Sequence, residues 1–211
     1  MTIDYSPGGI VCKMPEELLT LLQHQLHIFQ TTEMPTLVGT NGAPGGSYKR
    51  WMIQTPPHIS HTLQSGVELV PKEHANEKMF NVLHYKELHP VIEFFEQYVN
   101  SIFRFRMSTL QPTSFIEEHG NHMYPRIHIP LNETDFSFYI NDKLNNDEVK
   151  PIKIEYGNAY FINVSNNHWG TIGEGSGERS TAFFSFDRFK IPEMTSKFMI
   201  PEYFSSLPQM P

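Results

Sequence analysis

The chain has a single cysteine, Cys12, among its 211 residues. One thiol excludes an intrachain disulfide and a cysteine-based zinc site, and it suits a reducing compartment, so a cytoplasmic location is expected. Basic residues are also scarce, with 16 Lys and Arg against 23 Asp and Glu, a formal charge of −7. That balance lacks the electrostatic footprint of a nucleic-acid-binding protein, and no nucleic-acid partner is expected. No apolar run reaches the roughly 20 residues that span a bilayer, so no membrane partner is expected either. The opening MTIDYSPGGIVCKM has no basic segment leading into an apolar one, and no secretory leader is expected. Internal repeats and low-complexity blocks are absent.

What remains is an ordered, globular composition, 39% hydrophobic and 13% aromatic, in a chain long enough for one domain with a substantial core. MPEELLTLLQHQLHIF (14–29) predicts an amphipathic helix. Pro15 suits its first position, two glutamates follow, and Leu18, Leu22, Leu26 and Phe29 recur at helical spacing. HPVIEFFEQYVNSIF (89–103) predicts a second, with Ile92, Phe95, Val99 and Ile102 on one face. Between them, the glycine-rich 40–51 run lacks the phosphate-loop pattern and reads as a mobile loop leading into a short strand. After residue 104 the chain turns to short β-rich segments separated by Asn, Gly and Asp, the pattern of a sandwich or jelly roll. The expected organisation is one domain over 1–211. Residues 1–104 form a helical and mixed supporting region, 105–187 a double-sheet barrel and 188–211 an extension wrapping the surface.

EEHGNHMYPRIHIPL (117–131) concentrates three histidines, two glutamates and an arginine. In PRIHIPL the side chains alternate: Arg126 and His128 share one face, and Ile127, Ile129 and Leu131 the other. In RSTAFFSFD, Arg179, Thr181, Phe183 and Ser185 share a face opposite Ser180, Ala182, Phe184 and Phe186. With the apolar sets packed under the helices, the two arginines face a barrel interior. A buried arginine costs several kcal/mol unless an anion pairs with it, and neither strand offers a matching carboxylate, so a bound acidic ligand is expected. His119 ends one strand and His168 begins another. Imidazoles on adjacent strands can bind a metal in cis, and non-haem Fe(II) oxygenases use two histidines and one carboxylate on one face of the ion.

The order HGN, RIHIPL, GNAYFIN, NNHWG, ERSTAFFSFD resembles the aspartyl/asparaginyl β-hydroxylase family, which includes bacterial proline hydroxylases. The resemblance covers roughly residues 105–187. It implies a mainly β fold, a double-stranded β-helix (jelly roll, cupin-like) preceded by supporting N-terminal helices. It also implies an Fe(II)- and 2-oxoglutarate-dependent dioxygenase that hydroxylates an amino acid or an Asp/Asn side chain in a peptide, consuming O₂ and releasing succinate and CO₂. Carried over residue by residue, His119 and His168 hold the iron. Arg179 pairs with the distal carboxylate of 2-oxoglutarate, and Arg126 and His128 line the co-substrate pocket. Where many relatives read His-x-Asp, this chain reads His119-Gly120-Asn121. The animal peptidyl aspartyl hydroxylases also lack that carboxylate, so Asn121 is expected at the third position, through its carbonyl oxygen or a held water. His122 is expected in the loop over the site, and Trp169 as core filling. Two other readings stay open: a non-catalytic, cupin-like binding protein that has lost its metal centre, and an iron halogenase.

Overall fold

The computed structural model describes residues 6–32, 37–39, 48–57, 77–112, 115–119, 124–142 and 148–198. The glycine run at 40–47, the GNHM stretch after His119 and the tail beyond 198 lie outside them.

Two antiparallel sheets face one another. Among the described residues the larger has seven strands. In spatial order they are β1 (Gly8–Lys13), β12 (Asn158–Ile162), β9 (Arg126–Pro130), β14 (Arg179–Ser185), β7 (Phe103–Leu110), β3 (Tyr48–Met52) and β2 (Leu37–Gly39). The smaller runs β11 (Glu148–Ile154), β10 (Phe136–Asp142), β13 (His168–Ile172) and β8 (Phe115–His119). Short pairs outside the sandwich are β4 (Gln54–Thr55) with β5 (Val82–Leu83), and β6 (Val99–Asn100) with β15 (Arg188–Phe189). The architecture is mainly β, with antiparallel sheets and few helices, consistent with the expected jelly roll. Strands from both sides of residue 104 are joined in its main sheet, because β1 pairs with β12 and β3 with β7. The N-terminal region therefore supplies barrel wall as well as support.

Strand alternation divides the apolar residues into two cores. Facing outward from the main sheet, Trp51, Met107, Ile127, Ile129, Ala182 and Phe184 meet helix α1 (Glu16–Thr32) and helix α2 (His89–Glu96). α1 begins as the sequence predicts: the Pro15 carbonyl accepts the Leu19 N–H at 3.1 Å, and Glu16 and Glu17 occupy the first turn, where acidic side chains suit the helix dipole. It buries Leu18, Leu22, Leu26 and Phe29, and Phe29 stacks on Trp51 at 6.1 Å. Phe95 of α2 meets Phe184 edge-on at 5.0 Å. Each such aromatic removed from water contributes about 1.5–3 kcal/mol. Between the two sheets a second cluster forms from Leu110, Phe136, Phe138, Ile140, Ile154, Tyr160 and Ile162.

The second helix is shorter than its apolar spacing predicts. It stops at Glu96; Val99 and Asn100 are extended and pair with Phe189 and Arg188, and Ser101 and Arg104 turn the chain with φ of 54° and 56°. Val99 is β-branched, and pairing with Phe189 suits it better than a longer helix. Helix α3 (Pro192–Phe198) closes the described chain, with Phe198 against Phe161 at 5.1 Å. No described helix is long and apolar enough to cross a membrane.

Candidate metal and co-substrate site

The smaller sheet brings the two histidines together. β8 ends at His119 and β13 begins at His168, and the two residues are direct cross-strand partners with ring centroids 4.2 Å apart. They differ in setting. His119 is exposed, whereas His168 is 2% exposed. His168 Nδ1 lies 2.9 Å from the Asn166 carbonyl oxygen. A carbonyl only accepts, so Nδ1 carries the hydrogen and Nε2 keeps its lone pair, the tautomer a metal ligand needs. Burial pushes the His168 pKa down to about 3 against the opposing Asn166 contact, with His119 and Arg126 adding to the depression. The ring is therefore neutral at pH 7, as ligation requires.

Among the described residues no third His, Cys, Asp or Glu completes a metal-binding group. Glu118 accepts a hydrogen bond from Asn167 at 3.0 Å. Asn121 and His122 lie outside the described residues. Trp169 is not core filling: alternation places it on the far face of the small sheet from His168, half-buried and stacked on Tyr139 at 5.5 Å.

A pocket with a cavity volume of about 60 Å³ runs from the histidine pair into the sandwich. Arg126, His128, Arg179, Thr181 and Phe183 all line it. Ile127, Ile129, Ala182 and Phe184 belong to the helix-side core, so both strands divide their faces as the alternation predicts. Arg179 is 5% exposed, with its guanidinium 3.7 Å from the Phe136 ring centroid and 5.3 Å from that of Phe138. Its Nε and Nη2 have no hydrogen-bond partner among the described residues. Burial lowers its pKa to about 9, with Tyr48 opposing, so it stays mainly charged at neutral pH. A buried, charged fork with two idle donors is a receptor for a carboxylate.

Gly170, two residues after His168, leaves the space that Phe136 fills. A β-carbon there would lie 2.3 Å from Phe136 Cζ. Gly170→Ala is expected to displace the ring under Arg179 and to cost about 1–3 kcal/mol, by overpacking. Thermal unfolding measures the loss, and an unchanged midpoint would show that the ring moves aside freely.

His128 stacks on Phe183 at 5.1 Å and meets Phe138 edge-on at 5.0 Å. Neither ring nitrogen has a partner among the described residues. Burial holds its pKa well below the ordinary histidine value, reinforced by Arg179 and Arg126. The unfolded chain takes up a proton near pH 6.5 that the folded chain refuses, so stability is full above that pH and falls as acid is added below it. His128→Phe removes this uptake and the two unsatisfied nitrogens. The metal-free variant should match or exceed wild type in melting temperature at pH 5 and lose less between pH 7.5 and pH 5. Equal acid sensitivity in the two proteins would exclude His128 as a source.

The structure adds pocket residues for which the sequence reading had no role: Tyr48 and Arg50 from β3 and Ser108 from β7. Their signal was alternation, Tyr48-x-Arg50 and Arg106-x-Ser108-x-Leu110, in segments overshadowed by the glycine run and by a strand read only as β-rich.

No protein-family profile matches the chain, and no curated protein matches it. Solved structures share its fold. The chain is similar to SnoN, a non-haem α-ketoglutarate-dependent epimerase from nogalamycin biosynthesis, with a TM-score of 0.56 at 7% identity over 100% of this chain and 88% of that one. It is similar to HygX from Streptomyces hygroscopicus, solved with nickel and 2-oxoglutarate bound, with a TM-score of 0.50 at 11% identity over 87% and 84%. A likeness to peruvianin-I from Thevetia peruviana latex, described as a cysteine peptidase, spans only 39% of this chain and 49% of that one, with a TM-score of 0.33 at 13% identity. The chain thus shares its overall fold with these two proteins, SnoN and HygX; function has to be argued from the site.

Proposed function

We propose that this chain is an Fe(II)- and 2-oxoglutarate-dependent dioxygenase. One observation carries the reading: a cross-strand histidine pair and a buried arginine with two donors unpartnered among the described residues line the same pocket. The donor set fits the groups. His168 is held neutral with Nε2 available, His119 stands beside it, and Arg179 has two idle donors for a dicarboxylate's far end.

Bound iron and 2-oxoglutarate supply the activation of O₂ for hydroxylation, with succinate and CO₂ as by-products. The chain's residues do the rest. The Asn166 carbonyl fixes the His168 tautomer, Arg179 fixes the reach of the co-substrate into the barrel, and Arg126 and His128 line its flank. The Phe136, Phe138 and Phe183 rings keep water from the carboxylate, which strengthens its pairing with Arg179. The substrate suggested by the family resemblance is an amino acid or an Asp/Asn side chain in a peptide, and the setting is the cytoplasm.

The test is anaerobic addition of Fe(II) and 2-oxoglutarate to purified protein, followed by O₂. An iron-to-2-oxo charge-transfer absorption and then succinate by mass spectrometry are expected. Protein that takes up neither iron nor 2-oxoglutarate is the cupin-like binding protein instead.

Asn121 separates these outcomes further. In the two-histidine reading its neutral amide adds little to the binding of a hard cation. Asn121→Ala should then keep most of the activity, and Asn121→Asp should tighten Fe(II) by adding an anion to a partly desolvated site. Parallel Fe(II) titrations and succinate assays decide. Complete loss in Asn121→Ala, with iron affinity falling in step, would make the amide an essential ligand.

A further inference from the structure

With the histidine pair, Arg179, Arg126 and His128 assigned, one wall of the pocket remains without a role. It is built from Tyr48 and Arg50 on β3 and Ser108 on β7, and the same pocket is lined by Phe115 and Ile116 of β8, the strand that ends in His119. Arg50 Nε donates to Tyr48 Oη at 2.7 Å, and Ser108 hydrogen-bonds the same phenol. Burial raises the Tyr48 pKa, but Arg50 and Arg106, with the bonds from Arg50 and Ser108, bring it to a net value below the ordinary one. A phenol oxygen that accepts two hydrogen bonds still has its own hydrogen to donate.

Behind this wall stands Arg106, the cross-strand partner of Met52 and Phe183. It is 2% exposed, its guanidinium lies 4.4 Å over the Phe183 ring, and its Nε and Nη1 have no partner among the described residues. Burial drives its pKa well down, and Arg50, Arg104 and Arg126 drive it further. Such a group is costly to keep in a folded protein unless an anion arrives to offset it.

The co-substrate does not supply that anion. Iron(II) cancels the double negative charge of 2-oxoglutarate, and imidazole ligands bring no negative charge of their own. Arg50, Arg126 and Arg179 line the pocket, and no Asp or Glu stands among its described lining. A positive field of this kind in a low-dielectric cleft selects negative ligands.

We propose that the substrate is itself a carboxylate, received by Arg50 and the Tyr48 hydroxyl on the β3–β7 wall with Arg106 behind them, an inference that rests on reading the site as a 2-oxoglutarate-dependent centre. The substrate's apolar part would then lie on Phe115, which is 38% exposed, and on Ile116, within reach of the histidine pair.

The test uses the full chain saturated with Mn(II) and 2-oxoglutarate, so that nothing turns over. Sodium acetate is the probe, with acetamide and sodium chloride at matched ionic strength as controls. Acetate should stabilise the loaded protein saturably against thermal unfolding, and acetamide should not. Arg50→Gln should weaken the acetate response about 10-fold, the loss of one charged hydrogen bond. Tyr48→Phe, which keeps the arginine, should weaken it several-fold, and this variant decides the matter if Arg50→Gln does not fold. Calorimetric affinity for 2-oxoglutarate should be preserved in Tyr48→Phe. No saturable acetate effect, an equal effect in both variants, or an effect that arises only by displacing 2-oxoglutarate would each overturn the proposal. Failure of wild type to bind 2-oxoglutarate would overturn the underlying reading, and this inference with it.

Discussion

Replacing His168 with alanine is expected to lower Fe(II) affinity by at least about 100-fold and to abolish succinate formation. Loss of a hydrogen-bonded partner one step removed from a metal already costs 10- to 100-fold, and a lost ligand costs more. His168 is the better organised of the two histidines. It is buried, locked by the Asn166 carbonyl and kept neutral by its surroundings. His119 is exposed, so part of its ligation energy is spent on ordering the ring, and His119→Ala should be the milder lesion in affinity while still abolishing turnover. Because alanine at 168 also opens a hole in the sandwich, His168→Gln is the companion variant that keeps most of the volume. Anaerobic metal titration and mass spectrometry of succinate measure both effects. Iron binding at wild-type strength in either alanine variant would remove that histidine from the centre.

Arg179→Lys is expected to weaken 2-oxoglutarate about 10- to 150-fold, the equivalent of roughly 1.5–3 kcal/mol for a charge-assisted bidentate contact, while leaving iron affinity intact. Two effects act in the same direction. Lysine cannot present the planar fork that engages both carboxylate oxygens. Its ammonium would also occupy a site where burial already lowers an arginine to about 9, and an amine starting near 10.4 would be partly neutral there. The substitution should therefore hurt more at pH 7 than at pH 6. Calorimetry on metal-loaded protein at both pH values tests this, and an unchanged dissociation constant would make Arg179 purely structural.

How much of this was legible beforehand varies by element. The strand halves of the site were, because a period of two assigns each side chain to a face without reference to neighbours. PRIHIPL and RSTAFFSFD therefore divided correctly into pocket and core. Helix α1 was legible because its apolar residues, its proline and its first-turn glutamates agree. Residues 97–103 were not, since Val99 suits a helix by spacing and a strand by branching, and only the partner β15 settles the matter. The wall of Tyr48 and Arg50 was hidden for a related reason. A five-residue strand shows two turns of alternation, and nothing local reveals that its neighbour will be β7, more than fifty residues onward. That His119 and His168 would be direct partners is likewise a fact of register, set by pairing across a long intervening chain.

The position of β14 in the main sheet has a consequence for how the molecule comes into being. Among the described strands of that sheet it is the last to be synthesised, yet it lies between β7 and β9 and pairs with both. Until it enters, those two strands are open edges around a gap, with apolar faces and unpaired amides exposed to other chains. β1 waits even longer in relative terms, since its partner β12 is made some 145 residues after it. Contacts so distant along the chain make for slow folding. Arg179 arrives with the closing strand, so the pocket acquires its carboxylate receptor in the same event that seals the sheet. Nascent chains ending before residue 179 should therefore be aggregation-prone and unable to hold the co-substrate, and productive folding should be a single late step.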